Sequence, residues 1–197
     1  MKRQQLKAQN TKNNIMAAAE ALFVERGYAE VSVAEIVEKA GCSVGAFYGH
    51  FKSKEVLVTK IWVRSVTSAI SETVEKGSRI SDRLEFVDYL IRRSNETRGN
   101  PVSALYKNCV MTHEDSVEVA SYASRYTALI KNVLRAHAPD ASEDNLWGYA
   151  SIIHSVLNAH AIQDTSTQEY LNLSRTLRGA ILALMDACRE TDDQSKI

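Results

Sequence analysis

The sequence predicts an all-α protein, with an N-terminal three-helix unit followed by a larger C-terminal helical domain. Apolar residues recur at intervals of three and four along nearly the whole chain, which is the spacing of one helix face. Two prolines and eight glycines in 197 residues leave few breaks. Strand signals are poor, with no sustained alternation of period two. An apolar share of 45% and a charged share of 24% are ordinary for a globular chain, and the length is enough to bury a core in one or two domains.

The first element runs from Thr11, a residue type that suits an N-cap. Ile15, Ala18, Ala19, Leu22 and Phe23 lie on one face, and Gly27 stands where a helix end favours glycine. The ten residues before it are polar and basic and read as a flexible arm. Ser32 caps a short helix carrying Val33, Ile36, Val37 and Ala40, which ends at Gly41. Ser43 caps the next, with Val44, Phe47, Tyr48 and Phe51. Ser53 precedes a long helix from about Lys54 to Lys76, striped by Leu57, Ile61, Ser65 and Ala69.

Beyond Gly77, Ser81 is the expected cap of a helix containing Leu84, Val87, Leu90 and Ile91. Gly99-Asn100-Pro101 is a break, and 102–112 has no decisive pattern. A helix from Ser116 to Ala138 is ended by Pro139. Two more, near 142–163 and 167–190, close the chain. The first has the stripe Leu146, Ala150, Ile153, Leu157 and Ala161. The last carries Leu173, Leu177, Ala180, Ile181, Leu184, Met185 and Cys188 on more than one face, so it needs burial on two sides. The tail after Glu190 reads as flexible.

Net charge is zero but unevenly spread. Residues 1–64 hold 10 Lys/Arg and 6 Asp/Glu, and residues 65–197 hold 14 and 18. A basic head on an acidic body suits a phosphate-facing module joined to an unrelated domain. Cys42, Cys109 and Cys188 are odd in number and widely spaced, which argues against a disulfide scaffold or structural zinc. There is no apolar h-region behind Met1-Lys2-Arg3, and the apolar stretch at 180–185 is too short to span a bilayer. The expectation is a cytoplasmic protein with no membrane partner.

Residues 32–51 carry the functional signal. Two short helices joined by Ala40-Gly41-Cys42-Ser43 fit a helix-turn-helix, whose tight turn favours glycine. Ile36, Val37, Ala40, Val44 and Phe47 pin the pair together. Ser43, Gly45, Ala46, Tyr48, Gly49 and His50 remain outward, small or polar. Such a helix can sink into a major groove, with Tyr48 and His50 donating to phosphates. Lys54 and the amides that start its helix form a further anion site. Lys2, Arg3, Lys7 and Lys12 could carry the arm to a neighbouring groove.

Ile15, Ala19, Leu22-Phe23, Gly27-Tyr28, Ser32-Val33, Ile36, Ala40-Gly41, Ser43, Gly45, Phe47-Tyr48, His50-Phe51, Lys54-Glu55 and Leu57 stand in ungapped register over about residues 10–60. This segment resembles the N-terminal signature of the tetracycline-repressor (TetR) family. The resemblance implies a DNA-binding domain over 1–53 and a ligand-sensing, dimerising helical domain over 54–197. It implies recognition contacts from Ser43, Val44, Gly45, Ala46, Tyr48 and His50, with Ser32 and Lys54 on phosphate. Cys42 replaces a more usual small aliphatic residue, and Gly49 stands where the family often has an aromatic one.

For the rest of the chain the resemblance implies architecture and not chemistry. The last two helices suit a homodimer built as a four-helix bundle, which sets two recognition helices about 34 Å apart on a palindromic operator. Trp62, Phe86, Tyr89, Tyr106, Cys109, Met111, His113, Tyr122, Tyr126 and Trp147 are the candidates to wall a site for a small organic effector, about a third of them lining it. Cys109 would sense oxidants only as an exposed low-pKa thiolate. His154 and His160 share no face well. His160 and Asp164 do, but without a third ligand for a metal. No cofactor is expected.

No Gly-x-Ser-x-Gly elbow, phosphate-binding glycine loop or His-Glu-x-x-His is present to support an enzyme. The reading is therefore a repressor that binds double-stranded operator DNA as a dimer and is released by ligand. The alternative is a DNA-binding regulator without a small-molecule ligand, either an activator or partner-dependent.

Overall fold

The computed structural model describes residues 2–162 and 167–190, with the backbone alone for residues 2, 3, 162, 167–171 and 190. The side chains of Lys2, Arg3 and Asp164 and the tail after Glu190 lie outside that description. The described residues form eight α-helices and a 3₁₀ helix, with no strand among them. The order is α1 (Lys2–Arg26), α2 (Val33–Ala40), α3 (Val44–His50), α4 (Lys54–Gly77), α5 (Arg83–Gly99), the 3₁₀ helix (Pro101–Asn108), α6 (His113–His137), α7 (Glu143–Ile162) and α8 (Thr167–Glu190). The all-α class holds.

Three boundaries differ from the sequence reading. α1 starts at Lys2, so residues 2–10 are helical and not an irregular arm. The segment is mostly Lys, Arg and Gln, with one Leu and one Ala, and lacks any breaker. Thr11 is accordingly no cap, and its hydroxyl donates to the Lys7 carbonyl one turn back, at 3.0 Å. At α5 the cap is Asp82 and not Ser81. The Asp82 carboxylate accepts from the Glu85 amide at 2.8 Å, a stronger acceptor than a hydroxyl. α6 starts at His113, where Thr112 and Asp115 form a reciprocal capping box (3.0 and 3.1 Å).

The chain divides into two compact units, residues 1–66 with 101–116, and residues 67–100 with 117–197. The first is built on Ile15, Ala19, Leu22, Phe23, Ile36, Val37, Phe47, Phe51, Leu57 and Ile61, joined by Val102 and Leu105 from the 3₁₀ helix. Tyr106 lies 4.9 Å from the Trp62 ring, and the Val110 amide donates to Thr59 Oγ1 at 2.9 Å. Lys60 Nζ donates to Asp115 Oδ1 at 2.6 Å, and the Asp115 side chain is 1% exposed. Burial alone would raise that carboxyl, but the Lys60 and Thr112 hydrogen bonds outweigh it and hold it below its ordinary range.

The second unit is centred on Phe86, Leu90, Ile130, Leu134, Leu146, Ile153, Leu157, Ile181 and Met185. Gly77 is buried at a close approach. A Cβ there would sit 2.8 Å from Leu129 Cδ2 and 3.2 Å from Tyr89 Cε1, which is why the last residue of α4 carries no side chain.

Candidate nucleic-acid interface

α2 and α3 are placed by their caps. Ser32 and Glu35 form a capping box: the Glu35 amide donates to Ser32 Oγ, and the Ser32 amide and hydroxyl donate to Glu35 Oε2 at 2.8 and 2.7 Å. These two Ser32 bonds, with Arg26 beside them, pull the Glu35 carboxyl down to about 2. At the other end of α2, Gly41 is left-handed (φ 64). The Cys42 amide donates to the Val37 carbonyl at 3.0 Å, closing the helix in a Schellman turn. A side chain at Gly41 would be strained by φ alone, so the turn needs this glycine.

Ser43 opens α3, accepting from the Ala46 amide at 3.1 Å. Phe47 is fully buried, which fixes the roll of this short helix. Val44 (47% exposed), Gly45, Tyr48 (55%) and Gly49 then face outward, with Ala46 and His50 half-buried beside them. Of the expected recognition set, Ser43, Val44, Gly45 and Tyr48 are thus exposed, and Ala46 and His50 only partly so. Nothing lies within 4 Å of a Cβ built at Gly49, so the absent side chain leaves a clear surface.

Ser32 and Lys54 are engaged differently. The Ser32 hydroxyl proton is taken by Glu35. Lys54 Nζ donates to the Tyr28 and Val31 carbonyls at 2.9 and 2.8 Å and lies 4.2 Å from the Tyr28 ring centroid. Tyr28 in turn donates to Glu55 at 2.9 Å, and burial first, then Glu55, pushes its phenol far above the ordinary value. Together these contacts fasten the α1–α2 loop to the start of α4. Sequence reasoning passed over Lys39 and Lys52. Both are exposed, Lys39 in the last turn of α2 and Lys52 just after α3, and neither has an ion pair or side-chain hydrogen bond among the described residues. The signal was available, since Lys52 follows the recognition helix by two residues.

The aromatic candidates for an effector site are not gathered in one unit. Trp62, Tyr106, Cys109 and His113 belong to the first; Phe86, Tyr89, Tyr122, Tyr126 and Trp147 belong to the second. Phe86 and Tyr89 are core residues, and Tyr89 donates to the Thr73 carbonyl at 3.2 Å. Tyr126 meets the His154 ring edge-on at 4.8 Å, and His154 Nδ1 lies 2.8 Å from the Thr127 hydroxyl. Trp147 is 40% exposed under Lys131, and Tyr106 is 58% exposed. Half-buried Tyr122 lies under Arg125. Met111 is half-buried and His113 exposed.

Burial pushes the Cys109 thiol up, the opposite of what a reactive thiolate requires. His160 bonds to Asn95 at 3.1 Å. Among the described residues no three His, Cys, Asp or Glu side chains converge on a metal position. None of the described helices is long and apolar enough to cross a membrane.

Residues 15–61 match the family model described as bacterial regulatory proteins, tetR family. The chain is 24% identical to the transposon Tn10 TetC protein of Escherichia coli over 195 residues, covering 93% of this chain and 96% of that protein. It is 36% identical to the HTH-type transcriptional regulator TtgR of Pseudomonas putida over 90 residues, a match spanning 46% of this chain but only 40% of TtgR. In fold it is similar to the transcriptional regulator FadR of Bacillus subtilis, solved in complex with stearoyl-CoA. The TM-score is 0.56 at 15% identity, covering 89% of this chain and 96% of that one.

Proposed function

The chain belongs to the TetR family of bacterial regulatory proteins, and from that premise we propose that it is a ligand-responsive repressor binding a palindromic DNA operator as a homodimer. The observation that carries this is the outward face of α3, where small and polar residues stand clear of a recognition helix locked by Phe47 and the Ser43 cap. In this reading Ser43, Val44, Gly45, Ala46, Tyr48 and His50 enter the major groove. Lys52 and Lys39 hold phosphates on either side. Lys54 keeps one ammonium hydrogen for a phosphate, its other two being spent on carbonyls. Ser32 contributes by setting the start of α2.

The DNA-binding segment is residues 1–53, carried by the first compact unit (the head), and 54–197 supplies the sensing and dimerising part. Dimerisation through α7 and α8 is supported by an uncovered face on each. Ile152 (48% exposed), Val156 (37%), Gly148 and Ala159 lie outward on α7, and Gly179, Ala180 and Ala183 on α8. A small organic effector is supported by the aromatic character of the second unit and by the stearoyl-CoA held by FadR. Ligand would shift the pose of the heads through α4, which carries the chain from one unit into the other. The protein acts as a cytoplasmic regulator without catalytic activity.

The decisive measurement titrates the full chain against the promoter region of its own gene and against random duplex, at several salt concentrations. The wild type should bind the promoter at least about a thousandfold tighter than random DNA. A Tyr48→Phe, His50→Ala variant should lose that preference. An absence of binding to any duplex at low salt would remove the repressor reading.

A further inference from the structure

The outward face of α3 lacks the side chains that read bases by hydrogen bonding. Residues 43–50 include no Arg, Lys, Asn, Gln, Asp or Glu. Discrimination by hydrogen bonds rests on paired contacts, from Arg or Lys to guanine and from Asn or Gln to adenine, or on a carboxylate accepting from cytosine. The polar groups that α3 does carry are poorer readers. Ser43 Oγ is occupied in accepting from the Ala46 amide at 3.1 Å, which leaves one hydroxyl proton to donate. Tyr48 and His50 bring single donors. These suit phosphate oxygens, or the N7 acceptor that adenine and guanine share.

Val44 is the side chain left to discriminate. Its spacing predicts a residue that pins α2 to α3, yet it is 47% exposed. It opens α3, and exposed Tyr48 follows it by four residues, so the two form one ridge. Beside that ridge the surface is bare. A Cβ built at Gly45 would meet only Ser43 Oγ within 4 Å, at 3.8 Å, and one at Gly49 would meet nothing. Gly45 and Gly49 are also four apart, so a shallow trough runs alongside the ridge. A groove wall can close on the Val44 isopropyl group without obstruction from its neighbours.

A single exposed valine means little on most surfaces. At the start of a recognition helix it forms no hydrogen bond and can be matched only by apolar surface. The base edges of the major groove present one such group, the 5-methyl of thymine, and the other three bases present none.

We infer that Val44 is a specificity-determining residue, selecting a thymine in each operator half-site through its 5-methyl group. The inference rests on the operator-binding reading and names what α3 recognises there. Burying one methyl-sized group is worth about fourfold in affinity, hence about fifteenfold for a dimer reading two half-sites.

The test selects a duplex from a random pool with the full chain. Each thymine is then replaced in turn by deoxyuridine, in both half-sites together, which removes the methyl and keeps the base pair. Wild type and Val44→Ala are titrated against every duplex at one salt concentration, because affinity depends on salt. At one thymine position the exchange should weaken the wild type by about fifteenfold. Val44→Ala should bind the thymine duplex about fifteenfold more weakly than wild type and lose less than about twofold on the exchange. Val44 lies outside the core and alanine favours helix, so the variant keeps α3, which thermal melting verifies. Specific binding in which no thymine responds to the exchange overturns the methyl contact and leaves the operator reading standing. So does a penalty of wild-type size in Val44→Ala. Failure to select any duplex overturns both.

Discussion

The two compact units pair their positive charges to different extents. In the second, Arg83 pairs with Asp186, Arg93 with Glu72 and Glu96, Arg178 with Asp88, and Lys131 and Arg135 with Glu143. In the first, Arg26, Lys60 and Arg64 have carboxylate partners and Lys54 is held by carbonyls, but Lys7, Lys12, Lys39 and Lys52 meet no acid among the described residues. A side chain matched within its own unit has little to offer an external anion; an unmatched one loses nothing by meeting a phosphate. The second unit thus holds more of its cations in internal pairs than the first, although Arg92 and Arg125 lie over Tyr89 and Tyr122 and not against an acid among the described residues, and net charge alone showed the difference only as a small imbalance.

If the head is a separately built unit, its core can be damaged without weakening the body. Phe47→Ala should cost about 3–5 kcal/mol in the head's unfolding and abolish DNA binding. Urea unfolding followed by head-specific and body-specific probes would check this; equal loss in both would show that the units do not unfold apart. The converse change is Gly77→Val. Its Cβ would crowd Leu129 and Tyr89, costing about 1–3 kcal/mol by overpacking. Thermal melting should show the body destabilised, with operator affinity at 25 °C near that of the wild type.

The smallest effect concerns the few charges that the head does pair. Asp115 has its folded pKa depressed below the ordinary 3.8. Its contribution is therefore present above that pH and lost as pH falls through the lower folded value. Lys60 is 34% exposed, so solvent screening limits the loss to about 1 kcal/mol. Asp115→Asn should flatten the head's loss of stability as pH falls below the ordinary carboxylate range. A pH profile identical to that of the wild type would show that the pair contributes nothing.

Much of the head was legible before any coordinates, because its constraints are local. Ser32, Ser43 and Gly41 act within one turn of themselves, and Ile36, Val37 and Phe47 announce their faces by spacing. The ambiguous stretch after Pro101 was opaque for the opposite reason. Val102 and Leu105 pack with Ile15 and Ile61 from far along the chain, and no periodicity encodes such a pairing. The same limit applied to the aromatic candidates. Trp62 and Tyr126 look alike in a sequence, yet they lie in different units.

Residue order was thus sufficient for the helical class, the turn at Gly41 and the burial of Phe47, since each follows from steric and capping rules acting over a few residues; Val44, expected to pin the two helices, is instead exposed. Tertiary packing alone assigned residues 101–116 to the head, placed Gly77 against Leu129, and separated paired from unpaired cations. Those outcomes depend on which distant side chains meet, and helical periodicity specifies a face without specifying what covers it.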